Sequence, residues 1–331
     1  MQKDEIYDIT IIGGGPIGLF AGFYAGLRKA KTKIIESLPE LGGQLNTLYP
    51  EKYIYDIPGF QKIKAGDLIK NLIKQLEPMK PTICLEEKVL SLTKDENNIF
   101  TLTTNKGTHQ TLAVIIAAGN GAFEPRRLSV EGAEKHENKG ISYFIRDMNR
   151  FKDKVVGIAG GGDSAVDWAL MLEPIAKEVH LIHRRPQFRA HEHSVELLHD
   201  SSVHVLTPLV IESLDEDENG KLVGVTLKDV KSKEEHSLPL DHLIINYGFA
   251  SSIDPINTWD LTFTRNNIVV HSDMSTSIAG VYAIGDINTY NGKVELIATG
   301  FGEAPTAVNN ALHFIHPEQR VQPMHSSSLC E

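Results

Sequence analysis

Tyr7-Asp8-Ile9-Thr10-Ile11-Ile12-Gly13-Gly14-Gly15-Pro16-Ile17-Gly18 is the stretch on which the fold turns. Its β-branched run reads as a buried parallel strand, and Gly13, Gly15 and Gly18 give the G-x-G-x-x-G spacing at the mouth of a helix. Each glycine answers a separate need: a tight turn at Gly13, backbone approach to a pyrophosphate at Gly15, and close helix–strand packing at Gly18. Gly13, Gly15, Pro16 and Gly18 therefore form a nucleotide-phosphate cradle, with helix N–H groups facing the anion. The context supports that reading over an ordinary turn. A helical stretch, Leu19 to Ala30, follows, and a second strand, Lys33-Ile34-Ile35, ends in Glu36, an acid placed to accept ribose hydroxyls.

A second cradle lies in Lys154 to Ala165, where Gly160, Gly162 and Ala165 match G-x-G-x-x-A, Asp163 and Ser164 open the helix, and Val166 to Ile175 is helical in pattern. Its second strand, Val179 to Ile182, ends not in an acid but in His183-Arg184-Arg185, with Arg189 close behind. Arginines there suit a ribose 2′-phosphate, which a carboxylate would repel, so this half is expected to take NADP(H) rather than NAD(H).

Both cradles are followed by a meander. In the first half it is expected from Ile83 to Ser91, Phe100 to Thr104 and Gln110 to Ile116. In the second it is expected from Val203 to Ile211, Leu222 to Leu227 and His242 to Tyr247. The repeated order implies two dinucleotide domains from an internal duplication. Ile268-Val269-Val270 and Gly280 to Asp286 read as strands returning to the first sheet, so the second domain is inserted in the first. The expected fold is α/β: two three-layer Rossmann-like domains, each with a β-meander, at 1–119 plus 249–315 and at 120–248, with a tail at 316–331. Lys64 to Leu76 reads as an amphipathic helix, and the glycine- and tyrosine-rich stretch from Leu41 to Phe60 as a shaped loop. Gly300 and Gly302 interrupt a helix-like run from Val294 to Ile315 at about 1 kcal/mol each, which suggests close approach to a cofactor or another helix.

Composition narrows the function. A net charge of −10 argues against nonspecific nucleic-acid binding. No apolar run approaches the roughly 18 residues that span a bilayer, and no signal core opens the chain, so the expected compartment is the cytoplasm. The only cysteines are Cys84 and Cys330, which leaves no Cys-x-x-Cys pair. His191-Glu192-His193 lacks H-E-x-x-H spacing and a nearby cysteine, and is read as part of the nucleotide-side loop rather than as a metal site.

Taken together, Gly13 to Gly18, Glu36, Gly42-Gly43-Gln44, Gly160 to Ala165, His183 to Arg189 and Ala283 to Asp286 resemble the two-dinucleotide-domain flavoprotein reductases of the thioredoxin reductase type. Thioredoxin reductases carry a Cys-x-x-Cys in the NADPH domain, whereas no cysteine lies between Cys84 and Cys330 here, so dithiol chemistry is excluded. Leu48 to Tyr53, the run Gly300 to Asn310 and the tail Gln322 to Leu329 resemble instead the cysteine-free bacterial ferredoxin/flavodoxin–NADP+ reductases. That resemblance implies FAD in the first domain and a ferredoxin or flavodoxin as partner of a homodimer. It also implies that Glu36 binds the adenosine ribose, Gln44 and Tyr49 contact the flavin side, Val89 and Phe123 line the adenine end, and Asp286 holds the ribitol region. Ser327 would approach the isoalloxazine, with His325 stacked on the face opposite Tyr49. The expected reaction is hydride transfer from NADPH to the flavin followed by single-electron transfer, with no protein acid, base or nucleophile. An NADPH oxidase or diaphorase and a nonenzymatic nucleotide sensor are the rival readings.

Overall fold

The computed structural model describes residues 5–145, 147–318 and 320–321. They divide into two compact units, one formed by the chain up to residue 122 and from residue 251 onward, the other by 123–250.

In the first unit, β1 (Ile6–Ile12) lies between β2 (Thr32–Ile35) and the strand Thr108–Ile116, parallel to both, with Thr82–Cys84 outside β2. Thr108–Ile116 is long enough to serve two partners. Its first residues pair antiparallel with Phe100–Thr104, whereas Val114 to Ile116 pair in parallel with Val281–Ala283. The meander and the returning strand thus share one strand. Helix α1 (Pro16–Leu27) packs on this sheet together with α6 (Ile297–Ile315), and the two touch along their length, from Gly300 to Asn309. A Cβ at Gly300 would fall 2.6 Å from the Ile17 side chain. The expected close approach is therefore to another helix, while Gly302 faces open space.

The expected strand Ile83 to Ser91 is two strands, because the chain turns with Glu86 at φ 54° and re-enters as Val89–Lys94, antiparallel to Phe100–Thr104. Nor does Asn267–Val269 return to the main sheet; it pairs with Phe263–Thr264 and Asn288–Thr289 in a separate small sheet. The shaped loop after Leu41 contains a regular element, helix α2 (Gly43–Leu48), which Gly42 at φ 115° and Gly43 at φ 58° make possible. Helix α3 (Ala65–Leu76) follows with a strongly segregated apolar face, as expected.

The second unit repeats the plan. Val155–Gly160 is flanked in parallel by Glu178–Ile182 and His242–Asn246, with Ile141–Ser142 and His204–Leu206 at the edges. Helix α4 (Asp163–Leu172) follows the glycine turn, and α5 (Glu192–Asp200) precedes the meander. That meander is a separate antiparallel sheet, Leu209–Glu216, Leu222–Asp229 and Glu235–Pro239, so the expected strand Val203 to Ile211 is divided between two sheets.

Two candidate dinucleotide sites

The two glycine turns differ in sequence but match in what each position does. At Gly13, with φ at 107°, an added Cβ would sit 2.4 Å from the Ala117 carbonyl oxygen; at Gly160 it would sit 2.4 Å from that of Asn246. Gly18 touches its own turn, where a Cβ would lie 1.9 Å from the Gly13 oxygen, and Ala165 takes the equivalent place, fully buried. The middle glycines are the exception. A Cβ on Gly15 would meet nothing within 4 Å, and one on Gly162 only the Arg189 carbonyl at 3.8 Å. These two cap helices α1 and α4 in extended conformation, and neither helix has a side-chain N-cap. Space at the middle glycine above an uncapped helix start fits a pyrophosphate at both cradles.

Around the first cradle the carboxyl ends of the parallel strands deliver Glu36, Ala117 and the Gly285–Asp286 turn, the edge where open α/β sheets bind ligands. Glu36 is buried and partly occupied. Its Oε2 accepts from the Gly14 N–H at 2.7 Å, and its Oε1 from the Leu38 N–H at 2.8 Å and the Ser37 hydroxyl at 3.2 Å. The same carboxylate that would accept ribose hydroxyls thus also fixes the glycine loop. Gly42 N–H bonds the Gly14 carbonyl at 2.8 Å, which docks the start of α2 and half-buried Gln44 beside the cradle.

Tyr49, at the end of α2, feels the charge of Asp286, which lies far along the chain. Burial, and then the Asp286 carboxylate, push the Tyr49 phenol up. Burial likewise raises Asp286, against the lowering effect of Lys293. Its side chain is half-buried, and its carboxylate makes no hydrogen bond to the described residues. Val89 is 4% exposed and packs in the core, so its side chain offers little surface to a ligand. Phe123 lies on the strand Ala122–Pro125, and its side chain is outside the description, as are His325 and Ser327.

The second site is organised by a loop folded back on the glycine turn. Arg189 N–H bonds the Gly161 carbonyl at 2.7 Å, and the His191 N–H bonds Asp163 Oδ1 at 2.9 Å, so Asp163 serves the loop. His183 lies against Gly161, where a Cβ would strike its ring at 2.2 Å, and stacks on Phe188 at 5.4 Å. Burial, assisted by Arg184 and Arg185, holds this histidine below its ordinary value. Arg184, Arg185 and Arg189 remain exposed beside it, and so does Ser164 at the helix start. The His191–His193 stretch is the beginning of α5, tied to the nucleotide loop through Asp163.

Two features escape a reading of the sequence. Among the described residues, Cys84, Glu87 and His109 come together with ligand atoms within 4.8 Å, but Lys33 Nζ bonds His109 Nδ1 at 2.7 Å and already supplies the cation. The second is Glu303, buried in α6 against the turn that carries Asp286. Its signal was available: Gly300, Glu303, Ala304, Ala307, Val308 and Ala311 form one buried stripe, and a carboxylate on such a stripe requires a partner.

Fold and sites define a two-domain dinucleotide oxidoreductase that binds FAD and NADP(H). Residues 7–311 match the pyridine nucleotide-disulphide oxidoreductase family. The chain is 61% identical over 330 residues to the ferredoxin–NADP reductase of Enterococcus faecalis, covering all of this chain and 98% of that one. It is 60% identical to the ferredoxin–NADP reductase of Halalkalibacterium halodurans, with 99% of each covered. Among solved structures, thioredoxin reductase of Lactococcus lactis superposes with a TM-score of 0.70 at 27% identity, over 93% of this chain and 99% of that one. The chain belongs to the pyridine nucleotide-disulphide oxidoreductase family and, within it, groups with the ferredoxin–NADP reductases. Among the described residues no helix is long and apolar enough to cross a membrane.

Proposed function

We propose that this protein is an FAD-dependent reductase that moves electrons between NADP(H) and a ferredoxin or flavodoxin. The bound cofactors supply hydride transfer and its division into single electrons. The observation that carries the reading is the doubled cradle with unlike second strands: a buried carboxylate closes the first, and exposed arginines close the second.

The first unit is assigned to FAD. Gly13, Gly15, Pro16 and Gly18 hold the pyrophosphate, Glu36 keeps a lone pair on Oε2 for the ribose, and Gln44, Tyr49 and Asp286 line the flavin half. The second unit is assigned to NADP(H), with Gly160, Gly162 and Ala165 under the pyrophosphate and Arg184, Arg185 and Arg189 around the 2′-phosphate. Asp163 and His183 shape that loop through His191 and Gly161. The chain's contribution is orientation and charge: its residues offer no Cys-x-x-Cys pair to relay electrons, so they leave from the flavin itself. The working form is a homodimer in the cytoplasm.

Anaerobic mixing with NADPH or NADH, followed by ferredoxin or flavodoxin, tests this. Rapid bleaching with NADPH and recovery of the flavin absorbance on adding the carrier are expected. A preference for NADH would remove the role given to the arginines.

A further inference from the structure

The Gly285–Asp286 turn is held by a buried ion pair that the assigned reaction does not itself employ. Glu303 Oε2 accepts from the Gly285 N–H at 2.7 Å and from Asn288 Nδ2 at 3.0 Å. Glu303 Oε1 accepts from the Tyr290 hydroxyl at 2.9 Å and pairs with Lys293 Nζ. Lys293 Nζ in turn donates to the Gly285 carbonyl at 3.1 Å. The two side chains are 4% and 6% exposed. Both backbone polar groups of Gly285, a residue at φ 76°, are therefore gripped by opposite ends of one ion pair, and Asn267 Nδ2 holds the next carbonyl, that of Asp286, at 2.7 Å.

We propose that Glu303 and Lys293 are positioning residues for FAD: they set the peptide planes on either side of Gly285 so that the Asp286 carboxylate faces the cofactor. This rests on the assignment of Asp286 to the FAD site. A buried ion pair is a poor source of net folding energy, since apolar side chains of similar size often serve a core equally well. What apolar side chains cannot do is satisfy the N–H and the C=O of one residue at once and so fix its orientation. The clamp also leaves the Asp286 carboxylate free, because every donor in it is directed at Glu303 or at a backbone carbonyl. Orientation of a ligand-contacting group by a buried outer layer is how binding sites commonly gain precision.

The test uses the purified holoenzyme. FAD release after dilution is followed by free-flavin fluorescence in Glu303→Gln, in Glu303→Leu/Lys293→Met, in Asp286→Asn and in Asp286→Asn/Glu303→Gln, with far-ultraviolet circular dichroism as the measure of folding. Release is expected to accelerate about tenfold in Glu303→Gln with the folded spectrum unchanged, the scale on which loss of an orienting partner acts. Asp286→Asn should accelerate it similarly, and the combined variant no further, because one residue acts through the other. Should Glu303→Leu/Lys293→Met not fold, Glu303→Gln still decides the matter. Unchanged release in folded Glu303→Gln, or effects that simply multiply in the combined variant, overturns the proposal while the Asp286 assignment stands. Unchanged release in Asp286→Asn removes that assignment, and the clamp's role with it.

Discussion

Replacing Gly15 by alanine should separate cofactor binding from folding, and Gly18→Ala should not. Gly15 has φ −70° and ψ −178°, a conformation open to any L-residue, and its Cβ would meet no atom of the chain within 4 Å. Loss of glycine's unfolded-state freedom then stabilises the FAD-free protein by about 0.4–1 kcal/mol. The melting temperature without FAD should hold or rise by about 1–4 °C. On the proposed FAD assignment the same methyl group would stand where the pyrophosphate approaches, and overpacking of about 1–3 kcal/mol would weaken FAD by roughly 5- to 150-fold. At Gly18 the methyl would lie 1.9 Å from the Gly13 oxygen, so strand and helix must part. About 1–3 kcal/mol is then lost before any cofactor is added, a fall of roughly 3–10 °C. The assay is a thermal melt of flavin-free protein beside FAD titration by fluorescence quenching. Gly15→Ala protein that binds FAD as tightly as the parent would refute the cradle argument, and so would one that melts early.

The NADP(H) site has its own counterpart: Arg184→Ala with Arg185→Ala should raise the KM for NADPH by about 10- to 100-fold, from charged hydrogen bonds of about 1.5–3 kcal/mol, and leave that for NADH nearly unchanged in steady-state assays. Truncation after Pro323 should speed NADPH-dependent bleaching in stopped flow while FAD stays bound, if His325 obstructs the nicotinamide; slower or equal rates count against it. His242 predicts an acid-labile second unit. Buried at 8% exposure beside the Ser142 hydroxyl, it is held down to about 4 by burial, with Arg150 adding to the effect. The unfolded histidine, near 6.5, takes up a proton that the folded one refuses. Stability is therefore full above about pH 6.5 and falls by roughly 3 kcal/mol as pH drops to about 4. Urea melts between pH 7.5 and 4.5 should show that slope, and His242→Gln should flatten it.

Most of the framework was legible because its signals are local. The G-x-G-x-x-G and G-x-G-x-x-A turns, the amphipathic stretch before Leu76 and the strand before Gly285 depend on near neighbours in sequence. The readings that failed concern pairing. Nothing within Ile83 to Ser91 says that its first half joins β2 while its second half joins the meander, and nothing in Ile268-Val269-Val270 says which sheet it enters. Alternation marks a strand, not its partner. Helix α2 was hidden by two glycines that look like loop residues and in fact supply the left-handed turn that lets it dock on Gly14.

The sequence by itself determined that this chain carries two glycine turns of the dinucleotide type, one followed by a strand ending in an acid and the other by a strand ending in arginines, and no Cys-x-x-Cys, because these are properties of the linear chain. Only the tertiary structure decided what surrounds them. It brought Tyr49 within the electrostatic reach of Asp286, gave Glu36 a second duty on the glycine loop, and set Glu303 and Lys293 on the N–H and the C=O of Gly285. The physical reason is range. Turn geometry is fixed by the residues that make the turn, whereas the cost of burying a charge is met by whichever partner the fold brings within hydrogen-bond reach.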